Sequence, residues 1–90
     1  MKYEWDERKN QANILKHGID FETATRLWDD PNRIEIQASI SEENRIILIG
    51  KIDKKLWATI FTLRNAAYRI ISVRRARKKE TLLYENSKTC

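Results

Sequence analysis

Residues 54–79 read KKLWATIFTLRNAAYRIISVRRARKK, and their pattern indicates the fold most clearly. This stretch holds nine basic residues and no acid, which is half of the 18 lysines and arginines in the chain. β-Branched and aromatic residues are interleaved with the cations, as in folded strands rather than in a disordered tail. We therefore predict strands at 56–63 and 68–73, joined by a turn at 65–67 in which Asn65 is left-handed. A folded cationic surface suits a polyanion such as RNA or DNA.

Length and charge narrow the class of protein without identifying its partner. We expect the 90 residues to form one small domain over residues 1–90, and the net charge of +5 favours an anionic partner. Nucleic acid and an acidic protein both satisfy that charge. A solvated basic face on an ordinary small protein is the third alternative.

The composition also argues against several kinds of site. A single cysteine, Cys90, allows no disulfide framework, which favours a reducing cytoplasm. With one histidine and one cysteine there is no metal-ligand cluster, and two glycines make no phosphate-binding loop. The sequence shows no signal-peptide core and no apolar run long enough to span a membrane. We expect a cytoplasmic protein without a metal, a cofactor or membrane contact.

Capping residues predict two helices before the basic stretch. Asp6 fits the N-cap of the first helix, which ends at Gly18, a natural left-handed residue. Asp20 caps the second helix. One apolar stripe marks the buried side of that second helix: Phe21, Ala24, Leu27 and Trp28.

The remaining segments complete the predicted fold. A period of two predicts strands at 33–38 and 45–50, and a short helix fits residues 75–84. The element order is therefore ααββββα. Because the strands are joined by short turns, we predict a four-stranded antiparallel sheet. The two N-terminal helices and the short C-terminal helix are expected to cover one face, which gives a two-layer α+β domain.

One side of the first helix carries polar residues that a core does not need. Trp5, Lys9, Asn13 and Lys16 follow steps of four, four and three, and His17 lies at the edge of the same side. A phosphate or base pocket could use these residues, with Trp5 as a stacking surface. For Lys16 and His17, interaction with the helix dipole in the last turn is the alternative.

The strands supply the arginines. Strict alternation predicts that residues 68, 70, 72 and 74 point to one face and that residues 69, 71, 73 and 75 point to the other. Arg64 and Arg74 lie near strand ends, where a guanidinium can grip a phosphate in bidentate fashion. An ordinary ion pair is the alternative for each arginine, although the only acids available, such as Glu80, lie outside the basic block.

These parts together resemble the BrnT toxins, the ribonuclease components of BrnT/BrnA type II toxin–antitoxin modules. The resemblance spans residues 3–84, and its most specific elements are KHGIDF at 16–21 and RIISVRRA at 69–76. The other matching residues are Trp5, Asp6, Lys9, Asn13, Ala24, Asp30, Pro31, Arg45, Ile49, Gly50, FTLR at 61–64, Glu80 and Tyr84.

The resemblance implies a RelE-like fold, metal-independent RNA cleavage and inhibition of translation. It also implies a cognate BrnA-like antitoxin that neutralises the toxin and carries the contact with operator DNA. The functional positions of the family fall on Arg64 and Arg74, with the helix residues Lys9, Asn13, Lys16 and His17 as further candidates.

The predicted reaction is attack of a ribose 2′-OH on the adjacent phosphate. Arg64 and Arg74 are assigned to the charge that develops on that phosphate. Histidine suits general acid–base catalysis near neutral pH, so His17 is the first candidate, with Lys16 or Lys9 as the alternative. Lys9, Asn13, Trp5, Arg69 and Arg75 are assigned to RNA binding. A non-catalytic nucleic-acid-binding module and an interaction domain for an acidic partner are the competing functions.

Overall fold

The computed structural model describes residues 2–40 and 44–87. Two N-terminal helices lie between a first strand and four further strands, and a third helix follows. The elements are β1 (Lys2–Trp5), α1 (Glu7–His17), α2 (Phe21–Ala24) continued by a 3₁₀ helix (Thr25–Asp29), β2 (Ile34–Ile40), β3 (Asn44–Ile52), β4 (Lys55–Arg64), β5 (Ala67–Arg75) and α3 (Lys78–Ser87).

The sheet corrects the predicted fold class, although the domain is α+β as expected. It has five strands in the order β1-β5-β4-β3-β2, and β1 pairs with β5 in parallel. The other pairs are antiparallel, so the sheet is mixed rather than a four-stranded antiparallel meander. We did not predict β1, because four residues are too few for a convincing strand period and their partner lies more than 60 positions away.

The helices cover both faces of the sheet, so the predicted two-layer arrangement is wrong. The main core lies between the sheet and the N-terminal helices, with Phe21, Leu27 and Phe61 almost fully buried. On the opposite face, Tyr84 of α3 packs against Ile49 and Ala58. We call the first side the core face and the second the outer face. Because α3 is short, it covers only part of the outer face.

The predicted helix caps are confirmed. The Asp6 carboxylate accepts a hydrogen bond from the Arg8 amide at 2.8 Å, and the Asp20 carboxylate accepts one from the Thr23 amide at 2.7 Å. Gly18 is left-handed with φ 72°, and its amide donates to the Ile14 carbonyl. The sharp reversal at Gly18 lets the chain leave α1 and start α2 across the core face.

Two tight hairpins align the central strands. Asp53 and Lys54 have φ values of 49° and 72° in the β3–β4 turn, and Asn65 and Ala66 have φ values of 51° and 63° in the β4–β5 turn. Positive φ at both central residues is the hairpin geometry that matches the twist of the strands. Left-handed Asn65 is confirmed, and Ala66 shares that conformation.

A hydrogen-bond network fastens α3 to the outer face. The Asp30 carboxylate accepts hydrogen bonds from the Tyr84 hydroxyl and from the Lys51 amide, both at 2.8 Å. Burial alone would raise the pKa of Asp30, but hydrogen bonds from Asn32, Tyr84 and Lys51 outweigh it and lower that pKa. Burial, followed by the interaction with Asp30, raises the pKa of Tyr84 to about 12.

A β-bulge in β5 overturns the predicted division of that strand into two faces. Ile60 pairs with Ser72, whereas its neighbour Phe61 pairs with Ile70, so Ile71 is the extra residue. Consequently Ile70 and Val73 both belong to the main core, although three positions separate them. The bulge puts Arg74 on the outer face, where strict alternation from Ile70 would have turned it toward the core.

Candidate active site

A cleft of about 340 Å³ lies where α1 meets β5. It brings together five of the predicted site residues, which come from two distant parts of the sequence. The lining residues are Lys9, Ala12, Asn13, Lys16 and His17 from α1, and Ile71, Ser72 and Arg74 from β5. Because this lining contains two lysines, an arginine and a histidine but no carboxylate, the cleft favours an anion.

Asn13 fixes α1 against the edge of β5. Its amide nitrogen donates to the Val73 carbonyl at 2.8 Å, and its amide oxygen accepts from the Val73 amide at 3.1 Å. The same nitrogen donates to the Ile19 carbonyl at 3.0 Å. The Asn13 side chain thus pairs with β5 as a neighbouring strand would, beyond the point where β1 ends. This geometry gives Asn13 a structural role in addition to its position in the cleft.

Asn10 lies one turn before Asn13 on the same buried side of α1, and it ties the helix to the start of α2. Its amide oxygen accepts from the Phe21 amide at 2.8 Å, and its amide nitrogen donates to the Glu7 carboxylate. Asn10 is 8% exposed and its bond to the Phe21 amide is buried, whereas the Glu7 carboxylate lies at the surface. Asn13, which looked dispensable for packing, and Asn10, which was not selected from the sequence, therefore hold α1 in place and set the position of Lys9, Lys16 and His17.

Arg74 is held by a bidentate ion pair with Glu80 of α3. Its two terminal nitrogens donate to the two carboxylate oxygens at 2.8 and 2.9 Å, and the two side chains are only 17% and 11% exposed. The Glu80 carboxylate also accepts from the Arg77 amide at the start of α3. Hydrogen bonding from Arg74 lowers the pKa of Glu80, and the same bonds raise the pKa of Arg74.

Arg64 does not reach this cleft. It is exposed at the end of β4, whereas Arg74 pairs with Ala58 near the start of that strand. Six residues separate Ala58 from Arg64, so at about 3.3 Å per residue Arg64 and Arg74 lie about 20 Å apart. The two arginines that were assigned jointly to one phosphate therefore belong to different places on the sheet.

The other predicted RNA-binding residues are distributed around the sheet. The Trp5 ring packs edge to face against Phe21 with centroids 6.0 Å apart, so much of its surface is used in packing. Arg69 lies 3.8 Å from the Glu4 carboxylate. The Arg75 guanidinium lies 5.4 Å from the centre of the Trp57 ring, on the other side of the sheet from Arg74. Their roles in RNA binding remain predictions.

Several residues of this region were not selected from the sequence. Ser72 lines the cleft because of the bulge, and a bulge leaves no mark in the hydrophobic pattern. Glu80 was considered only as a distant ion-pair partner, yet it binds Arg74 directly. The sequence signal for Glu80 is the capping pattern, since it lies three residues after the N-cap position of α3.

Two larger clefts differ from this one in charge. One has a volume of about 530 Å³ and includes Asp20 and Asp53, and the other has about 510 Å³ and includes Asp29, Asp30 and Asp53. Within residues 2–40 and 44–87, no group of three or more His, Cys, Asp or Glu side chains could hold a metal ion. None of the helices in this described part is long and apolar enough to cross a membrane.

Comparison with known proteins identifies the family of the chain. The family model for the ribonuclease toxin, BrnT, of type II toxin–antitoxin systems matches residues 5–80, which include every residue that lines the cleft. No curated protein matches the chain. Because the matched segment covers most of the chain, the family assignment is secure. The chain belongs to the BrnT family of ribonuclease toxins of type II toxin–antitoxin systems.

Proposed function

We propose that the chain is a metal-independent endoribonuclease that binds the scissile phosphate of RNA in the cleft between α1 and β5. Family membership implies an RNA substrate and an antitoxin partner. The observation that carries the proposal is the charge of the lining. Lys9, Lys16, His17 and Arg74 line one cleft that has no carboxylate in its lining, unlike the two larger clefts. Even when Glu80 is counted against Arg74, the two lysines leave the cleft positive. A phosphodiester is the anion that a ribonuclease must hold.

The reaction needs a positive environment and two proton transfers. A base removes the proton from the ribose 2′-OH, whose oxygen then bonds to phosphorus as the bond to the 5′-oxygen breaks. An acid protonates that leaving oxygen, which leaves a 2′,3′-cyclic phosphate and a 5′-hydroxyl. Negative charge develops on the phosphate oxygens meanwhile, and cations stabilise it most when they are held in place beforehand.

The cleft residues supply these roles. Arg74 is held rigidly by Glu80, so its guanidinium is oriented before the substrate arrives. Lys9 and Lys16 add positive charge from the opposite wall. His17 is the candidate for proton transfer, because a histidine exchanges a proton readily near neutral pH. Lys16 or Lys9, both of which line the same cleft, is the alternative base.

The proposal extends to the cellular partners. A BrnA-like antitoxin would neutralise the chain in the cytoplasm, and the complex would contact operator DNA only through the antitoxin. RNA cleavage by the free toxin would inhibit translation. These assignments follow from the family and from the basic character of the chain.

The deciding experiment is incubation of the purified protein with labelled RNA in excess EDTA. We expect cleavage to persist and the products to carry 2′,3′-cyclic phosphate ends. His17→Ala should reduce kcat by about 10²-fold or more and alter its pH profile, while Lys79→Ala, which removes an exposed cation from α3, should not.

Other outcomes separate the alternatives. Activity that is lost on chelation and restored by a divalent ion would overturn the metal-independent mechanism. RNA binding without cleavage would favour a non-catalytic nucleic-acid-binding module. An absence of both would favour an interaction domain for an acidic protein.

A further inference from the structure

We propose that Lys2, Arg64 and Arg69 form a second phosphate site, the distal basic site, which binds single-stranded RNA beside the cleavage point. The proposal rests on the ribonuclease function proposed above and extends it to the length of substrate. It assigns Arg64 to a flanking phosphate rather than to the phosphate that reacts.

The aromatic contacts of the core show that these three side chains share the outer face. Tyr3 of β1 and Tyr68 of β5 stack together, and Tyr68 also meets Phe61 of β4, all on the core face. Because side chains alternate along a strand, the flanking residues Lys2, Arg69 and Arg64 point to the outer face.

Strand register places the three cations close together. Ala67 of β5 pairs with Lys2 on one side and with Arg64 on the other. Arg69 lies two residues farther along β5, opposite Thr62. Neighbouring strands are about 4.8 Å apart, so all three residues fit around one or two phosphates.

The electrostatic balance of this cluster is positive. Glu4 is the one carboxylate that the described strands place among these cations, and it lies 3.8 Å from Arg69. Arg64 forms no hydrogen bond or ion pair with any residue in the described ranges, and it is exposed. A free guanidinium on a rigid strand can bind a phosphate without first breaking a bond within the protein.

The outer face between the distal basic site and the cleft is suited to a nucleic-acid strand. Ile60 of β4 and Ile71 of β5 are partly buried there, and Ile71 also lines the cleft. Tyr84 of α3 packs on Ile49 and Ala58 in a cluster that does not include Ile60 or Ile71, and both isoleucines keep part of their surface exposed. Cations at both ends and apolar side chains between them can hold phosphates and bases respectively.

The separation of the two sites decides what Arg64 can do. About 20 Å lies between Arg64 and Arg74 along β4, which is far beyond hydrogen-bond reach of a single phosphate. A strand of RNA that occupies the cleft must therefore extend along the sheet to reach Arg64. The benefit of the distal basic site should appear only with substrates long enough to make that contact.

Substrate length provides the test. Wild type and the Lys2→Ala/Arg64→Ala variant would be compared on a dinucleotide with a single phosphodiester bond and on a single strand of about eight nucleotides. Lys78→Ala/Lys79→Ala, which removes two exposed cations from α3, is the charge-matched control. On the longer RNA we expect KM of the double variant to rise about tenfold and kcat to change by less than about twofold.

Two further readouts belong to the same experiment. On the dinucleotide, the loss in kcat/KM should stay below about twofold. The slope of log(kcat/KM) against log(salt) for the longer RNA should become shallower by about 1.4, which is about 0.7 for each lost contact with a single strand. Equal losses on both substrates, or a loss on the longer RNA no greater than that of Lys78→Ala/Lys79→Ala, would overturn the proposal.

Binding of an uncleavable RNA keeps this proposal separate from the catalytic one. The longer strand with a 2′-deoxy sugar at the cleavage point would be titrated against each variant by fluorescence anisotropy. If wild type cleaves neither RNA but the double variant binds about tenfold more weakly, the ribonuclease proposal fails and the distal basic site stands. If wild type cleaves RNA but the double variant binds the uncleavable strand as tightly as wild type does, the ribonuclease proposal stands and the distal basic site fails.

Discussion

At the scale of single residues, Arg74 has one anionic partner in the described part of the structure, Glu80, and the phosphate of RNA is its proposed second partner. Both terminal nitrogens of the Arg74 guanidinium donate to the Glu80 carboxylate, which also accepts a hydrogen bond from the Arg77 amide at the start of α3. An arginine that served only to bind phosphate, as the sequence suggested for Arg74, could be replaced by alanine with little change in the melting temperature. The structure alters that expectation, because removal of Arg74 leaves a carboxylate that is only 11% exposed without its main partner.

The first prediction concerns this pair. Arg74→Ala should reduce cleavage by about 10²-fold and lower the free energy of unfolding by about 1–3 kcal/mol. Glu80→Gln keeps hydrogen-bonding atoms but removes the charge, so it should lower stability at neutral pH while retaining more activity than Arg74→Ala. Melting curves and initial rates measure both effects. A Glu80→Gln variant that melts with wild type at neutral pH would contradict this account.

The same pair gives a pH dependence with a definite sign. The folded pKa of Glu80 is lowered, so its stabilising contribution is present above the ordinary glutamate pKa, about 4.3, and is lost as pH falls through the folded value. Stability curves of wild type and Glu80→Gln should therefore differ at neutral pH and converge in acid. Curves that stay parallel down to strongly acidic pH would show that the carboxylate charge is not responsible.

The second prediction concerns Asn13, which donates to two carbonyls and accepts from one amide. Asn13→Asp should destabilise the protein by about 2 kcal/mol or more, because a carboxylate would then face the Ile19 and Val73 carbonyls. Protonation restores a donor, so the loss should shrink on acidification. Denaturant unfolding at two pH values measures this. Asn13→Ala is the control, because alanine has no proton to gain and its loss of stability should not shrink on acidification.

At the scale of elements, the edge of β5 shows how the site is assembled. β1 pairs with its first half, and the Asn13 side chain pairs with Val73 in its second half. The bulge lies between these two contacts, at Ile71 and Ser72. Because of this arrangement, α1 approaches the strand closely enough for its cations to share one cleft with Arg74.

The third prediction tests the β4–β5 hairpin. Ala66 is left-handed with φ 63°, a conformation that costs an L-residue about 1–2 kcal/mol and costs glycine little. Allowing for the greater entropy of glycine in the unfolded chain, Ala66→Gly should stabilise the protein by about 0.5–1 kcal/mol. Ala12→Gly, in the middle of α1, should instead destabilise by about 1 kcal/mol. Thermal unfolding shows whether each variant is more or less stable than wild type. Destabilisation by Ala66→Gly would refute the proposed strain at Ala66.

At the scale of the whole molecule, four cations from the strands share the outer face of the sheet. Lys2, Arg64, Arg69 and Arg74 lie on the outer face, whereas the N-terminal helices cover the core face. Exposed Leu82 and Leu83 add apolar surface on α3. An antitoxin that covered this outer face would block both the cleft and the distal basic site. Charge complementarity would speed the encounter.

The fourth prediction is that the antitoxin covers the outer face of the sheet with an acidic or amphipathic segment. Expression of the chain alone should arrest growth, and co-expression with the neighbouring gene should restore growth and yield a complex on pull-down. Charge reversal by Lys2→Glu/Arg64→Glu should weaken that complex at low salt, whereas Lys55→Glu, which lies beside α1 on the core-face side of the sheet, should not. Harmless expression of the wild-type chain with no co-purifying partner would argue against the toxin–antitoxin function.

Local signals in the sequence determined much of this protein. The caps Asp6 and Asp20, the left-handed Gly18 and the buried stripe from Phe21 to Trp28 all form as predicted. The family that the motifs predicted is confirmed by the match of the family model. These features follow from interactions within a few residues, such as a capping hydrogen bond or an apolar face of one helix, so the sequence specifies them directly.

Only the tertiary structure decided which residues meet. Parallel pairing of β1 with β5 is non-local, so nothing within residues 2–5 reveals its partner. The bulge at Ile71 turns Arg74 to the outer face, where α3 supplies Glu80 as its partner. The register of β4 separates Arg64 from Arg74 by about 20 Å. A short motif determines residue type and local geometry, but distances across a sheet depend on register and on which face each helix covers.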